Sequence, residues 1–541
     1  MTDFTADDLA ARGATRSTAA GALGTAALAL LSLALLAGLA LRIMTFDLRK
    51  DELMYVPPVR LLDTMQIYRD FFYNHVPGTA WYFHGLAKLS GVDNLLLTGR
   101  VGILIGWVFF LVALFVVSYA FTRSGIASWS ITILTVCNEL FLSQTGMAAT
   151  NNFLPLPFSY LGLALFILGL RAGGNPGLVF LAGFMLALGA SMKISAVVVV
   201  PVVVLAALLL PRGLSAAGRL VKVLLPLGLG GILGGLPILV PLARDPAGFM
   251  AHVVAWHRGP HVAYWKLPEA ADEGAAVTAG AKVLLAHEVW LGGSVALALV
   301  GLVAVLLLAF RREPEAPPRT APVPGSLVAV VALAGLVGIV MSFVPTPGFP
   351  QYFAPPLALL PLLVAMLFAR LGPEGRGRAS TALLAAALVA LVVNAPRLAQ
   401  AAPSALKPER WEVARVHAAG LDLARRMAAA GATGKVATLN PIYPLEGRLP
   451  VYAELATGPF AYRTGDLTPP DLAQHYRFTS PTQIEALLQK DPPAAVLLGF
   501  DKVLEAPLAR FAEANGYVKV EDFAVKDRFG TLALYLKPGK P

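Results

Sequence analysis

Long apolar runs, separated by short polar breaks, fill the chain from residue 20 to residue 394, and the pattern is lost beyond it. A helix that crosses a bilayer needs about 20 apolar residues, with a range of roughly 17–25. Runs of this kind predict spans at 20–43, 101–120, 126–143, 153–170, 177–190, 194–211, 222–243, 287–310, 325–344, 351–370 and 379–394, about eleven in all. The run 177–190 is short by that rule and is open to a re-entrant reading. With 194–211 it makes a pair around Ser191-Met192-Lys193. The expected architecture is an α-helical polytopic membrane protein.

Charge sets the orientation. If the N-terminus is cytoplasmic, the inner segments hold Arg12, Arg16, Arg123, Arg171, Arg212, Arg219, Lys222, Arg311, Arg312, Arg319, Arg370, Arg376 and Arg378. The short outer turns hold only Lys193. Cytoplasmic loops carry the excess of Lys and Arg, so this asymmetry puts the N-terminus inside. Two long loops, 44–100 and 244–286, then fall outside, as does everything from 395 to 541. Residues 1–19 are polar and mixed in charge, and read as a cytoplasmic tail. The apolar stretch that follows, about Ala20 to Leu41, is longer than the roughly 7–15 residues of a secretory signal and reads as a retained first span.

Residues 395–541 read as a small α/β domain. Trp411, Val413, Val416 and Leu421 recur at helical spacing and predict a helix over about 408–430. The runs Val436-Ala437-Thr438-Leu439, Ala494–Leu498 and Leu532–Leu536 are short, apolar and bounded by Gly or Pro, which predicts strands. No internal repeat, Walker loop or GxGxxG pattern is evident.

Composition agrees with the pattern and excludes other classes. Hydrophobic residues make up 57% of the chain and charged residues 14%, against about 25% charged in an ordinary soluble domain. The net charge of +10 fits cytoplasmic-loop Lys and Arg better than nucleic-acid binding. The one cysteine, Cys137, rules out an intrachain disulfide framework. It sits in an apolar run, where a thiol stays protonated and inert.

The polar chemistry gathers in the first outer loop. Asp51-Glu52-Leu53-Met54-Tyr55 opens it, and Tyr68-Arg69-Asp70 and His75-Val76-Pro77-Gly78 follow. Further on stand Thr150-Asn151-Asn152, Ser191-Met192-Lys193-Ile194-Ser195 and Gln351-Tyr352-Phe353-Ala354-Pro355-Pro356. Over residues 20–370 this layout resembles the GT-C class of polytopic glycosyltransferases, and is similar to the bacterial protein-mannosyltransferase and aminoarabinose-transferase type. The Asp51–Tyr55 element resembles that class's Asp-Glu-x-x-Tyr, and the later segments resemble its second acidic motif, its Lys-bearing turn and its Gln-Tyr-x-x-Pro span start. Two departures stand out: Asn151 occupies the place of an acid, and Pro77-Gly78 the place of Pro-Pro.

The resemblance implies an inverting glycosyltransferase that moves a sugar from a polyprenyl-phosphate carrier to a lipid, glycan or protein acceptor on the periplasmic side of a bacterial inner membrane. Membrane lipid surrounds it, and no nucleic-acid partner is expected. A base must take the acceptor's proton, and a carboxylate near the membrane surface suits that task. Asp51 is the expected base, with Glu52 and Asp70 as further catalytic candidates. Glu52 also reads as a structural partner of Arg49 or Lys50. Substrate contacts are expected from Tyr55, Tyr68, Tyr73, His75, Asn151, Lys193, Arg258 and Tyr352, with Lys193 and Arg258 on the leaving phosphate. Asn152 also reads as a cap of the span at Phe153. Tyr462-Arg463 is a candidate acceptor contact. His257 and His261 stand four apart, but Gly259-Pro260 between them argues against a helical metal pair. A divalent metal is left open, and no other cofactor is called for. A secondary transporter is an alternative, although those carry repeats and mid-membrane polar sites. A non-catalytic scaffold with a binding domain is another, kept open by Asn151.

The charge asymmetry yields a direct test. Reporter fusions after Arg312 and after Pro396 should read cytoplasmic and periplasmic respectively. The reverse pair of readings would put the Asp51 loop on the cytoplasmic side and overturn the site assignment.

Overall fold

A computed structural model of the chain describes residues 6–268, 270, 274–310 and 323–537, with residues 6–25 and 310 described as backbone only. The inner-segment residues Arg311, Arg312 and Arg319 lie outside the described residues, as do the side chains of Arg12 and Arg16.

Among the described residues, six helices are long and apolar enough to cross a bilayer: Ala26–Thr45, Leu95–Thr122, Ala216–Arg244, Gly325–Ser342, Pro350–Phe368 and Pro373–Ala399. The pair Ala279–Leu291 and Val295–Ala309, bent by 71°, makes a seventh if counted as one span. Gly125–Val136, Pro155–Arg171, Pro176–Met192 and Ile194–Leu209 are shorter apolar helices on the other expected runs. Leu30, Val112, Leu205, Leu229, Val300 and Val392 are exposed on the outside of the bundle, while Trp107, Phe110 and Tyr160 are sealed inside it. A helix that is apolar all round belongs in a core or in lipid. The protein is a multi-pass membrane protein.

Three expected boundaries move. The span expected at 126–143 stops at Val136, because Asn138 turns its side chain back to accept from the Leu140 amide (2.9 Å) in competition with the helix. Ser143 then breaks the backbone again (φ −94°, ψ −164°). The span expected at 287–310 is cut at Gly292-Gly293, where Gly293 takes φ +53°. The first long loop ends at Asn94, six residues earlier than expected, where the Asn94 side chain caps the next helix by accepting from the Leu97 amide (2.8 Å).

Helices Pro176–Met192 and Leu225–Arg244 pack along a glycine seam. A Cβ at Gly230 or Gly234 would run into the carbonyls of Phe180 and Phe184. Close backbone approach through small residues is how helices associate without a hydrophobic driving force between them. The following break falls at Lys193, whose backbone is extended (φ −152°, ψ 122°).

Helix Glu412–Ala429 opens the C-terminal region. It buries Val413, Val416, Leu423 and Met427, whereas Leu421, expected on that face, is exposed. The five strands are β1 (Val436–Ala437), β2 (Ala495–Leu498), β3 (Val518–Lys519), β4 (Val525–Lys526) and β5 (Thr531–Leu536). They run in the order β1-β2-β5-β3, with β4 also on β5. β1 and β2 are parallel, with Val436 opposite Ala495, and β5 lies antiparallel to β2, β3 and β4. The region is bonded to the helical part at several points. Asn94 Nδ2 donates to the Val413 carbonyl (2.9 Å), the Leu96 amide to Glu446 (2.9 Å), Thr457 Oγ1 to the Phe72 carbonyl (3.0 Å) and Tyr476 OH to the Ala251 carbonyl (2.7 Å).

Candidate functional site

The site starts from Glu52, which is fully buried and holds the loop in place. Its carboxylate receives Arg100 Nε at 2.5 Å and Nη2 at 2.7 Å, the Ala149 amide at 2.7 Å and the Arg49 amide at 2.9 Å. Arg100 Nη1 in turn donates to the Ile43 carbonyl at 2.5 Å. Both oxygens are thus committed to structure. The ion pair is with Arg100, and the link to Arg49 runs through that residue's backbone.

Asp51 is the neighbour this arrangement presents. It accepts from Gln144 Nε2 at 3.1 Å. Burial raises its pKa, opposed by the nearby charges of Lys193, Lys50 and Arg463 and by the Gln144 bond. Lys193 lies in the break between two helices and donates Nζ to Asn152 Oδ1 at 2.7 Å. The Tyr352 ring lies 4.8 Å from that ammonium. Burial pulls the Lys193 pKa down to about 8, and Asp51 acts the other way.

A cavity of about 580 Å³ opens beside this pair. One end is polar, lined by His75, Asn152, Lys193, His257, Arg258 and Tyr352 among others. The rest is apolar, with Val198, Val199, Met341 and Leu359 in its wall. His75 is fixed from two sides. Tyr55 stacks on its ring (centroids 5.1 Å apart, 23°), and Tyr68 OH donates to its carbonyl at 2.6 Å. Tyr68 itself sits at φ 72°, a left-handed backbone that a bulky residue seldom adopts. Tyr73 packs edge-on against both Tyr55 and His75. His257 Nε2 donates to the Asn74 carbonyl at 2.7 Å.

Of the expected site residues, His75, Lys193, Arg258 and Tyr352 line the cavity, whereas Asp51, Glu52, Tyr55, Tyr68, Asp70, Tyr73 and Asn151 do not. Asp70 is clamped by Arg69 through two 2.8 Å bonds and caps the Gln66 amide at 2.7 Å, and it is absent from the cavity wall. The Arg69 bond holds its pKa down. Asn151 is buried beside the wall residue Asn152, and neither end of its amide has a protein partner. Arg258 is exposed and does line the cavity. Gln144 is not singled out by the sequence, His257 and His261 are weighed there only as a metal pair, and Arg463 only as an acceptor contact. The Arg463 guanidinium lies 4.5 Å from the Tyr264 ring centre and 5.1 Å from that of Trp265. Among the described residues no three His, Cys, Asp or Glu side chains converge as a metal cage. The donor set does not fit a resident divalent ion, and no step below runs through one.

The sealed pair makes a prediction about Glu52. Arg100→Met leaves the carboxylate buried and uncompensated, and should cost about 3–5 kcal/mol of stability. The check is the denaturation midpoint of the purified protein in detergent, with Asp51→Asn as the control expected to move it little. A midpoint unmoved by Arg100→Met would remove the pair from its structural role.

No family model and no curated protein matches the sequence. Solved structures do match it. ArnT from Cupriavidus metallidurans bound to undecaprenyl phosphate is 14% identical and superposes with a TM-score of 0.57 over 94% of this chain and 98% of that one. The same protein in the apo state gives 13% and 0.58 over 96% and 100%. The Archaeoglobus fulgidus oligosaccharyltransferase gives 11% and 0.49 over 93% of this chain and 72% of that one. With ArnT matched along nearly the whole of both chains, this protein shares the fold of ArnT.

Proposed function

We propose that the protein is an inverting glycosyltransferase. It takes a sugar from a polyprenyl-phosphate carrier and passes it to a hydroxyl of a lipid, glycan or protein acceptor on the periplasmic side of a bacterial inner membrane. The observation that carries this reading is a cavity that is polar at one end, where Lys193 and Arg258 stand, and apolar along the rest, with Asp51 outside its wall but near enough to feel the Lys193 charge. An amphipathic donor needs both surfaces: an apolar wall for the prenyl chain and cations for its phosphate.

The chemistry follows from the placement. Asp51 takes the acceptor hydroxyl proton as its oxygen attacks the anomeric carbon. The bond from that carbon to the phosphate oxygen breaks on the opposite face, and its electrons leave on the phosphate. Lys193 and Arg258 offset the charge that develops there. Attack and departure on opposite faces invert the centre. Glu52 and Tyr68 act through position, one holding the Asp51 loop and the other the His75 backbone. A transporter is disfavoured, because the ionisable residues gather at the ends of helices and in loops.

Asp51→Asn keeps size and hydrogen bonding but cannot accept the proton. Transfer from a polyprenyl-phosphate sugar should fall by about 10²–10⁴-fold, with donor binding retained. Full activity in the variant would overturn Asp51 as the base, and ion-coupled uptake into liposomes without any transfer would favour the transporter.

The pH profile supplies a second test. The base works ionised, so kcat/KM should be lost as pH falls through the raised Asp51 pKa. The phosphate partner works protonated, so kcat/KM should also decline as pH rises past about 8, where Lys193 loses its proton. Lys193→Arg should move the alkaline limb to higher pH, and an alkaline limb unchanged in that variant would detach it from Lys193.

A further inference from the structure

Four buried polar groups near the polar end of the cavity have no partner in the protein. They are Tyr73 OH, Asn74 Oδ1, His261 Nδ1 and Trp265 Nε1. A buried group left unmatched costs roughly 1–3 kcal/mol, so such atoms are rarely idle. Tyr73, His261 and Trp265 are joined to His75 and His257 by ring contacts, with Tyr73 and Trp265 standing behind the cavity wall. His75 lies 5.2 Å from His257 between ring centroids, His257 lies 5.6 Å from His261, and His261 lies 6.2 Å from Trp265. Tyr73 abuts His75 at 6.2 Å. His75, His257 and His261 line the cavity directly. Trp256 backs His261 at 4.6 Å, and Tyr55 backs His75.

The wall is neutral. Burial pushes His75 and His261 well below the ordinary imidazole range and His257 down to about 4, and neighbouring cations push the same way. A neutral imidazole offers one donor and one acceptor, which matches a sugar hydroxyl. The cavity lining contains no Asp or Glu among the described residues, and it does contain Lys193 and Arg258. Arg463 also acts on both Asp51 and His261. A sugar bearing an ammonium group would meet cations there, and Asp51, the carboxylate at hand, is needed for the proton.

We infer that the wall formed by His75, His257 and His261, backed by Tyr73 and Trp265, is the subsite for the donor's sugar, and that it takes an uncharged sugar through its hydroxyls rather than an amino sugar. The inference rests on the donor reading above and adds to it the class of sugar. Lys193 and Arg258 hold the phosphate, and the histidine wall reads what the phosphate carries.

The test measures binding to purified full-length protein in detergent at pH 7. The probes share one short polyprenyl phosphate, either bare or carrying a neutral hexose, a neutral pentose or an amino pentose. At least one neutral sugar should bind about tenfold or more tighter than the bare carrier, and the amino pentose should gain nothing over it. His75→Phe and His261→Phe each keep an aromatic ring and remove both imidazole nitrogens. They should erase most of the neutral sugar's gain while leaving bare-carrier affinity and the melting midpoint unchanged. Lys193→Ala should weaken every probe alike. The subsite is overturned if the amino pentose binds tightest, if no neutral sugar gains over the bare carrier, or if both ring variants keep the gain. Failure of the bare carrier to bind wild-type protein is a separate result: it removes the donor reading itself, and the sugar assignment goes with it. A variant that loses its melting midpoint is replaced by His261→Gln, whose amide can restore a hydroxyl contact and should recover part of the gain.

Discussion

The buried ion pair of Glu52 and Arg100 is the constraint on which the site depends. Its contacts reach four places far apart in the sequence: the end of the first span at Ile43, the start of the loop at Arg49, the second long helix at Arg100 and the Thr150-Asn151-Asn152 segment through the Ala149 amide. Two charges taken out of water are costly unless every lone pair and proton finds a partner. Here both Glu52 oxygens are doubly engaged. The pair therefore has one satisfied arrangement, and that arrangement fixes the residue next to it. Asp51 is held beside Lys193 and Gln144 because Glu52 cannot move.

This division of labour explains why two adjacent acids serve opposite ends. Glu52 faces inward, and both its oxygens are taken up by NH donors. Asp51 faces a site where burial raises its pKa and three cations pull it back. A carboxylate set between those two influences is one that can exchange a proton, whereas the oxygens of Glu52 are all committed to structural bonds. The break at Cys137–Ser143 serves the same end. A helix continued through 143, as its hydropathy suggests, would carry Gln144 away, and the local bonds of Asn138 turn it back to Asp51.

The sequence showed the apolar helices, the C-terminal helix and three of the five strands, because apolar length and short Gly- or Pro-bounded runs are local signals, whereas of the eleven expected spans six or seven are long enough to cross a bilayer among the described residues. It showed Asp51, His75, Lys193 and Tyr352 as candidates because each stands in a short motif that resembles one of the GT-C class, and Lys193 also because it is an ionisable residue at a span boundary. Three kinds of feature were not visible. Asp70 has the right type in the right loop, but its partner Arg69 is adjacent, and a two-residue clamp leaves no mark on periodicity. Gln144 depends on a helix break driven by one side chain. His257 and His261 were set aside as a metal pair because Gly259-Pro260 interrupts the helix. The interruption is real (Gly259 φ −105°, ψ −98°), yet both rings still face the cavity. The spacing rule was right about the helix and silent about the rings.

The C-terminal region is also part of this geometry. Arg463, far along the chain, is stacked on Tyr264 and Trp265 of the second long loop and adds its charge at Asp51 and His261. Trp256 Nε1 donates to Thr464 Oγ1 at 3.1 Å, and Thr457 bonds the carbonyl of Phe72, next to Tyr73. These bonds join the histidine wall's two loops to one short segment, 457–464. A region attached only as a binding appendage would have no reason to fill the electrostatic environment of Asp51. Because it does, displacement of that segment would change both the proton affinity of Asp51 and the spacing of the wall. The C-terminal region and the first loop are therefore coupled through the site itself.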